Sequence, residues 1–294
     1  MPFLVKTASR IGVLLASSFL AAPSWLPAQT GVLVVAHGGG QVWNAGVRAV
    51  VEQVRWTEGP VATAFLMGPE AVTSGWDAGL AKLVSEGARQ VIVVPLLISS
   101  HGGHYYQIRF YAGELAELPS ELAAHGHPAR PSPVPLQVTP ALDAAPELAD
   151  ALAERWRALD GVNRRRPLLL VAHGPDSDSE AERWTSNLDS VAARIRQEGN
   201  VSVSVGLLRD DAAPPVRAAA VALIRSTVEQ LATAAGDSVA VLPVLISMGE
   251  INRVTIPKDL SGLPIRYTPV SLAPSPALAR WIERSALARA AAPR

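Results

Sequence analysis

The sequence predicts an α/β chain of two homologous, doubly wound modules, each a roughly four-stranded parallel sheet flanked by helices. Three observations carry that prediction. An apolar run ending in His-Gly, Val32-Leu33-Val34-Val35-Ala36-His37-Gly38, returns as Leu168-Leu169-Leu170-Val171-Ala172-His173-Gly174. A second run, Val94-Pro95-Leu96-Leu97-Ile98-Ser99, returns as Leu242-Pro243-Val244-Leu245-Ile246-Ser247, and Val138-Thr139-Pro140 returns as Tyr267-Thr268-Pro269 in the same order. Both copies alternate short Val/Leu/Ile runs with longer segments at helical spacing, as parallel strands buried on both faces and joined by right-handed crossovers do. In a duplication, a residue kept in one copy and lost from the other points to the chemistry.

Residues 1–28 read as a secretory signal peptide and stand apart from the fold. Lys6 and Arg10 precede an apolar run from Ile11 to Ala22, too short to span a bilayer comfortably. Ala22 and Ala28 offer small residues for cleavage, although Leu26 stands where another small residue is expected. The expected location is periplasmic or secreted, with an uncleaved membrane anchor as the alternative and no membrane association after cleavage. The 294 residues suffice for two modules of ordinary size, 29–160 and 161–294, joined near Asp160 to Arg166. The chain has no cysteine, which excludes disulfides, thiolate metal ligands and a cysteine nucleophile. Twenty-six basic residues balance 26 acidic ones, and loss of the signal leaves 24 against 26. Such a chain has no electrostatic footprint for nucleic acid. Its one compact basic run, Arg164-Arg165-Arg166, reads as a solvated linker.

In the first module the expected strands are Val32 to Ala36, Val61 to Leu66, Val91 to Leu97 and Pro135 to Thr139. Between them, Val47, Val51 and Val54 form one helical stripe, and Trp76, Leu80, Leu83 and Val84 form another. The second module repeats the scheme with strands Leu168 to Ala172, Val201 to Leu208, Val239 to Ile246 and Ile265 to Tyr267. Its helices carry Trp184, Leu188, Val191 and Ile195, then Val216 to Leu231, then a final segment from Ser275 to about Ala291 with the serine as N-cap. The copies differ most between the third and fourth strands, where 37 residues separate Ser99 from Gln137 but 18 separate Ser247 from Arg266. The longer connection holds Tyr105, Tyr106, Tyr111, His125, His127 and a proline-rich end, and is a candidate lid or substrate wall.

Ligands of an open parallel sheet bind beyond the C-terminal strand ends, where strand order reverses. His37 follows the first strand directly, and His101-Gly102-Gly103-His104 follows the third. A strand order of 2-1-3-4 makes those two strands neighbours, so both histidine positions face one crevice. Imidazoles from adjacent loops hold a divalent ion with coordination positions left open, and the glycines let a bulky ligand come close. Capping of the strand end is the bland reading of one strand-His-Gly. Two such positions at neighbouring ends favour the metal. Gly38-Gly39-Gly40 lacks the lysine of a P-loop and the spacing of a dinucleotide fingerprint, so no nucleotide is expected. The second copy keeps His173 but reads Met248-Gly249-Glu250-Ile251-Asn252 where the second histidine would stand. Either that site is lost, the favoured reading, or His173 and Glu250 form a weaker one.

At these residues the chain resembles the sirohydrochlorin cobaltochelatase family, the class II tetrapyrrole chelatases, in its two-copy form. His37-Gly38, Asn44, Val94-Pro95-Leu96-Leu97-Ile98-Ser99 and Gly102-Gly103-His104 carry the resemblance, which runs over both copies. It implies two Rossmann-like, chelatase-like modules and a lyase-class enzyme of siroheme or cobalamin biosynthesis. The implied reaction is insertion of a divalent metal into a sirohydrochlorin-like tetrapyrrole without ATP. The metal is then a substrate, Co2+ foremost and Fe2+ or Ni2+ otherwise. The resemblance makes His37 and His104 the metal ligands; His101 replaces a residue usually small or proline in the family and is a candidate extra ligand, and the candidate catalytic residues are His37, His104 and Glu70. Trp43, Asn44, Gly102, Gly103 and Tyr105 are the residues expected to bind the ring. Two departures stand out. An acid often follows the second strand in the family, whereas this chain reads Ala64-Phe65-Leu66-Met67 with Glu70 three residues later, either a ligand or proton acceptor or a helix-capping acid. A signal peptide is also unusual among enzymes of cytoplasmic tetrapyrrole synthesis. A non-catalytic exported carrier of metal or tetrapyrrole would show the same histidines without the acid. A two-lobed solute-binding protein is a more distant alternative, and the absence of a Gly-x-Ser-x-Gly elbow argues against a serine hydrolase.

Overall fold

The computed structural model describes Met1 and residues 29–118, 122, 131–161 and 165–292. The expected signal peptide, apart from Met1, lies outside the described residues, as do His125, His127 and Arg164. Among the described residues no helix is long and apolar enough to cross a membrane.

Two parallel sheets form the frame. The first contains β1 (Gln29–Ala36), β2 (Val61–Phe65), β3 (Ala88–Pro95) and β4 (Leu136–Val138) in the order β2-β1-β3-β4. The second contains β5 (Leu168–Ala172), β6 (Val203–Leu207), β7 (Val239–Val244) and β8 (Ile265–Arg266) in the order β6-β5-β7-β8. Every strand pairing is parallel, so β1 and β3, like β5 and β7, flank the point where the strand order reverses, as the sequence predicts. The expected third strands run on to Leu97 and Ile246, but the strands end at Pro95 and Val244. Beyond Pro95, Leu96 still donates to the Val35 carbonyl (2.7 Å) before the chain leaves the sheet toward the histidine loop.

Alternation along the strands divides the apolar residues between layers. β1 sends Val32, Val34 and Ala36 to a core shared by both sheets, and Leu33 and Val35 to an outer core. On the outer face of the first sheet lie α3 (Trp76–Ser85) and α4 (Gly103–Tyr111), through Trp76, Leu80, Leu83 and Ile108. Its inner face takes Val47 and Val50 of α1 (Gln41–Val51), while a single turn, α2 (Ala71–Ser74), follows β2. The second sheet is covered outside by α7 (Pro214–Ala235) and α8 (Ile256–Asp259), the latter following a π-helical turn at Ile251–Thr255. Inside, α6 (Asp178–Gly199) contributes Leu188, Val191 and Ile195.

The closing helices cross between the sheets. α5 (Pro146–Asp160) ends the first repeat in sequence, yet it packs on β7 and α6 of the second. α9 (Pro276–Ala291) ends the chain and packs on β3, β1 and α1 of the first. The two helices also pack on each other, with Arg284 of α9 donating to both oxygens of Glu147 on α5 at 2.6 and 2.8 Å. Division of the chain at 160/161 therefore separates the two sheets but not the packing units. Trp156 and Trp281, one on each closing helix, are among the largest fully buried side chains, and loss of either indole costs about 3–5 kcal/mol. Ser275 caps α9 by accepting the Ala277 N–H at 3.2 Å.

Candidate metal centre

His37 leaves the end of β1 in a turn that only glycine completes. Gly38 has φ +90°, and a Cβ there would lie 2.2 Å from the Met67 carbonyl oxygen. The same turn holds the imidazole, whose Nδ1 lies 2.6 Å from the Gly38 carbonyl. A carbonyl can only accept, so Nδ1 carries the proton and Nε2 keeps its lone pair. Asn44 braces the loop from beneath, accepting the Gly39 N–H at 2.9 Å and donating to the Gly39 carbonyl at 3.2 Å. Being fully buried, Asn44 positions the loop and does not offer its amide to a ligand.

His104 stands in the first turn of α4, and its ring meets that of His37 edge to face with centroids 4.5 Å apart. Its Nδ1 lies 3.3 Å from Gln107 Oε1, while the Gln107 amide nitrogen donates to the Tyr111 hydroxyl at 2.9 Å. That second bond turns the oxygen of Gln107 toward the imidazole. Nδ1 of His104 is therefore the donor, and Nε2 again is free to bind a cation. Burial, then the neighbouring His37 charge, pushes the His104 pKa down to about 4. At neutral pH its imidazole is uncharged and available as a ligand.

Several other predicted site residues serve different ends. The carboxylate of Glu70 is ion-paired with Arg48, and hydrogen bonds from Arg48 and then Asn44 hold its pKa below the usual range. Among the described residues no group of three His, Asp or Glu side chains is arranged to hold a metal, and the Glu70 carboxylate is turned to Arg48. His101 works through its backbone: its N–H donates to Ser99 Oγ at 3.1 Å, and its carbonyl accepts the Trp184 indole N–H. Tyr105 packs on the outer core with its hydroxyl donating to the Thr139 carbonyl at 3.3 Å. Trp43 sits near the His37 ring, centroids 6.2 Å apart, and packs against Gly249 of the second module. Gly102 has φ +156° at the cap of α4, and Gly103 lies against Leu122 of the long connection.

The second module meets this site edge to edge. Ser247 Oγ donates to the Trp43 carbonyl (2.8 Å) on one side, and Trp184 reaches the His101 carbonyl on the other. His173 mirrors His37, with Nδ1 2.7 Å from the Gly174 carbonyl. Its Nε2 lies 3.5 Å from Asp211 Oδ2, and the charges of both Asp211 and His173 act on His104. Glu250, the expected partner of His173, instead precedes the π-helical turn as its N-cap residue. Sequence reasoning missed Gln107, Asp211 and Asp143. Asp143 accepts the Ser100 N–H and hydroxyl at 2.7 and 2.6 Å and the Asn187 amide at 3.1 Å, which anchors the loop before His104 to α6. A signal for it lay in the repeat: Ser100 and Asp143 become Met248 and Ala273 together, and the backbone bonds Asp143–Ile98 and Ala273–Ile246 are equivalent.

A family model described as CbiX matches residues 31–159. No curated protein matches the chain in sequence. Among solved structures, the fold is similar to the sirohydrochlorin chelatase SirB of Bacillus subtilis subspecies spizizenii in complex with cobalt, at 16% identity and a TM-score of 0.57 over 89% of this chain and 93% of that one. SirB from Bacillus subtilis with Fe3+ is similar at 19% identity and a TM-score of 0.59, over 90% and 96% of the two chains. DR2241 from Deinococcus radiodurans, a multi-domain protein with structural similarity to chelatases, aligns at 16% identity and a TM-score of 0.59 over 88% of this chain and 54% of its own.

Proposed function

We propose that the chain is a member of the CbiX family, whose model matches its first module over residues 31–159, and that it inserts a divalent metal ion, without ATP, into a sirohydrochlorin-like tetrapyrrole. The observation that carries this reading is the pair of imidazoles at the strand-order reversal, ring centroids 4.5 Å apart, with Nε2 of each left unprotonated by the tautomer its carbonyl partner imposes. Two neutral imidazoles bind a borderline cation such as Co2+, Fe2+ or Ni2+ and release it readily to a stronger chelator. Co2+ is the first candidate. SirB has been solved with cobalt and with Fe3+, which supports a transition-metal substrate and leaves the choice to experiment.

In the proposed reaction the ion passes from the two Nε2 atoms to the ring nitrogens as two pyrrole N–H bonds break. Each released imidazole is then free to take a proton. His104 is a poor resting place for a proton because its surroundings penalise the cation, so a proton it takes passes on to water. Trp43 and Gly102-Gly103 are the residues assigned to the face of the macrocycle on this proposal. The test is cobalt insertion into sirohydrochlorin, followed by the change in visible absorption, for His37→Ala and His104→Ala. Both variants are expected to be inactive, and unchanged rates in both would overturn the proposal.

One observation favours a second reading, an exported carrier. Glu70 is committed to Arg48, and among the described residues no group of three His, Asp or Glu side chains is arranged to hold a metal. A carrier stops at one tetrapyrrole per chain, whereas a chelatase turns over. Export itself is part of the proposal and rests on residues 1–28. Fractionation of cells, with mass determination of the mature N-terminus, tests it.

A further inference from the structure

The unused chemistry in the molecule lies on the second module. We propose that His173 Nε2 and Asp211 Oδ2 form a second divalent-metal position, which takes a hydrated transition-metal ion from solvent and faces the His37–His104 pair. Four observations carry it. The Gly174 carbonyl fixes the His173 tautomer as Gly38 fixes that of His37, which leaves Nε2 as the ligand atom. Nε2 and Oδ2 are 3.5 Å apart. That is long for a charge-assisted hydrogen bond, ordinarily about 2.7–2.9 Å. It is close to the separation of about 3.4 Å between two ligands bound tetrahedrally at about 2.0–2.1 Å from one ion.

The third observation is that the loop bearing Asp211 is built to hold it there. Arg209 adopts φ +56°, an uncommon conformation for a residue with a side chain. Its backbone N–H donates to the His173 carbonyl at 2.6 Å, and its guanidinium reaches the Pro175 and Asp176 carbonyls and the Asp178 carboxylate. The turn after β6 is thereby tied to the turn after β5. Asp210 is drawn away to Arg217 at 2.8 Å, whereas the Asp211 side chain is 78% exposed. The carboxylate next to His173 is thus the one left open to water and ions.

The fourth observation comes from the repeat. Met67 N–H donates to the His37 carbonyl as Arg209 N–H donates to the His173 carbonyl, so Met67 and Arg209 occupy the same place. Two residues beyond that place stand Pro69 in the first copy and Asp211 in the second. The second copy therefore sets a carboxylate beside its histidine at a position where the first copy has proline. Imidazole plus one carboxylate, with water completing the shell, suits cobalt, nickel, iron or zinc, and is a weaker holder than a closed site. Service as a loading position for the His37–His104 pair rests on the proposed function; metal binding at His173 and Asp211 does not.

Titration of the full chain with Co2+ alone, read by visible absorption and equilibrium dialysis, tests it. The wild type is expected to bind two equivalents, and the His37→Ala/His104→Ala double variant one. Asp211→Asn and His173→Ala are each expected to lose the weaker equivalent while their thermal melts stay like the wild type, and Asp211→Glu to restore it in part. A single equivalent in the wild type, or a second one that survives both His173→Ala and Asp211→Asn, overturns the site. If the protein binds two equivalents yet metallates no tetrapyrrole, the chelatase reading fails and the second site stands. For the loading role, Asp211→Asn should raise the KM for Co2+ severalfold with kcat unchanged, and an unchanged KM excludes it.

Discussion

His37 and His173 occupy equivalent strand ends, make the same Nδ1 contact to the following glycine carbonyl, and have different company. Beside His37 stands a second imidazole, His104, and the nearby acid Glu70 is engaged by Arg48. Beside His173 stands a carboxylate, Asp211, and the position of the second imidazole has passed to the π-helical turn that opens α8. Under the proposed second metal position, the comparison teaches that the duplication did not leave one live site and one dead one. On that proposal each half keeps a different part of a metal-binding set, and the contacts of Trp43 with Ser247 and of Trp184 with His101 hold the halves edge to edge.

The sharpest way to break the comparison is to remove its first half. His104→Ala is expected to lower cobalt insertion by more than about 100-fold, beyond the range seen for loss of an outer-shell partner. His173→Ala should leave insertion at saturating Co2+ nearly unchanged. Equal losses in the two variants would show that the halves act as one site. Next in size is Gln107→Leu, which removes the acceptor that orients His104 and should weaken metal affinity by about 10- to 100-fold, measured by competition with a coloured chelator. Its effect should be absent from the His173 position.

Acid stability offers a third contrast. His104 titrates near pH 4 in the folded protein and near 6.5 when unfolded, so between those values the unfolded chain binds more protons. Stability of the metal-free protein is then full above about pH 6.5 and falls toward pH 4, by ~3 kcal/mol in all from this group. Urea melts across that range should show the slope in the wild type and a flatter one in His104→Ala. The smallest contrast lies in the turns. Gly38→Ala and Gly174→Ala both place a side chain on left-handed backbone, at about 1–2 kcal/mol each. The new Cβ meets a carbonyl oxygen at 2.2 Å in the first turn but the Leu207 Cβ at 2.9 Å in the second, so the first should melt at the lower temperature.

The strand order and the pairing of His37 with His104 were legible because both follow from local signals, buried apolar runs and their punctuation by His-Gly. The destination of Glu70 was not legible. Its partner Arg48 lies 22 positions away, and only the meeting of α1 with the turn after β2 brings guanidinium and carboxylate together. Asp211 was equally hidden, since counting from the strand end places Arg209 opposite Met67 and gives no sign that the next turn folds back on His173. Tyr105 looked like a ring-stacking residue by its nearness to His104 in sequence. On a helix the next residue points about 100° away, and here that direction is the outer core.

The crossing of α5 and α9 has a consequence in time. The first sheet starts at Gln29, but its inner face is not covered until α9, ending at Ala291, has been made. Until α9 has been made, β1 and β3 keep part of their apolar surface open. The order in which this protein is written is therefore not the order in which its parts can be finished, since the first half is completed only after most of the second has been written.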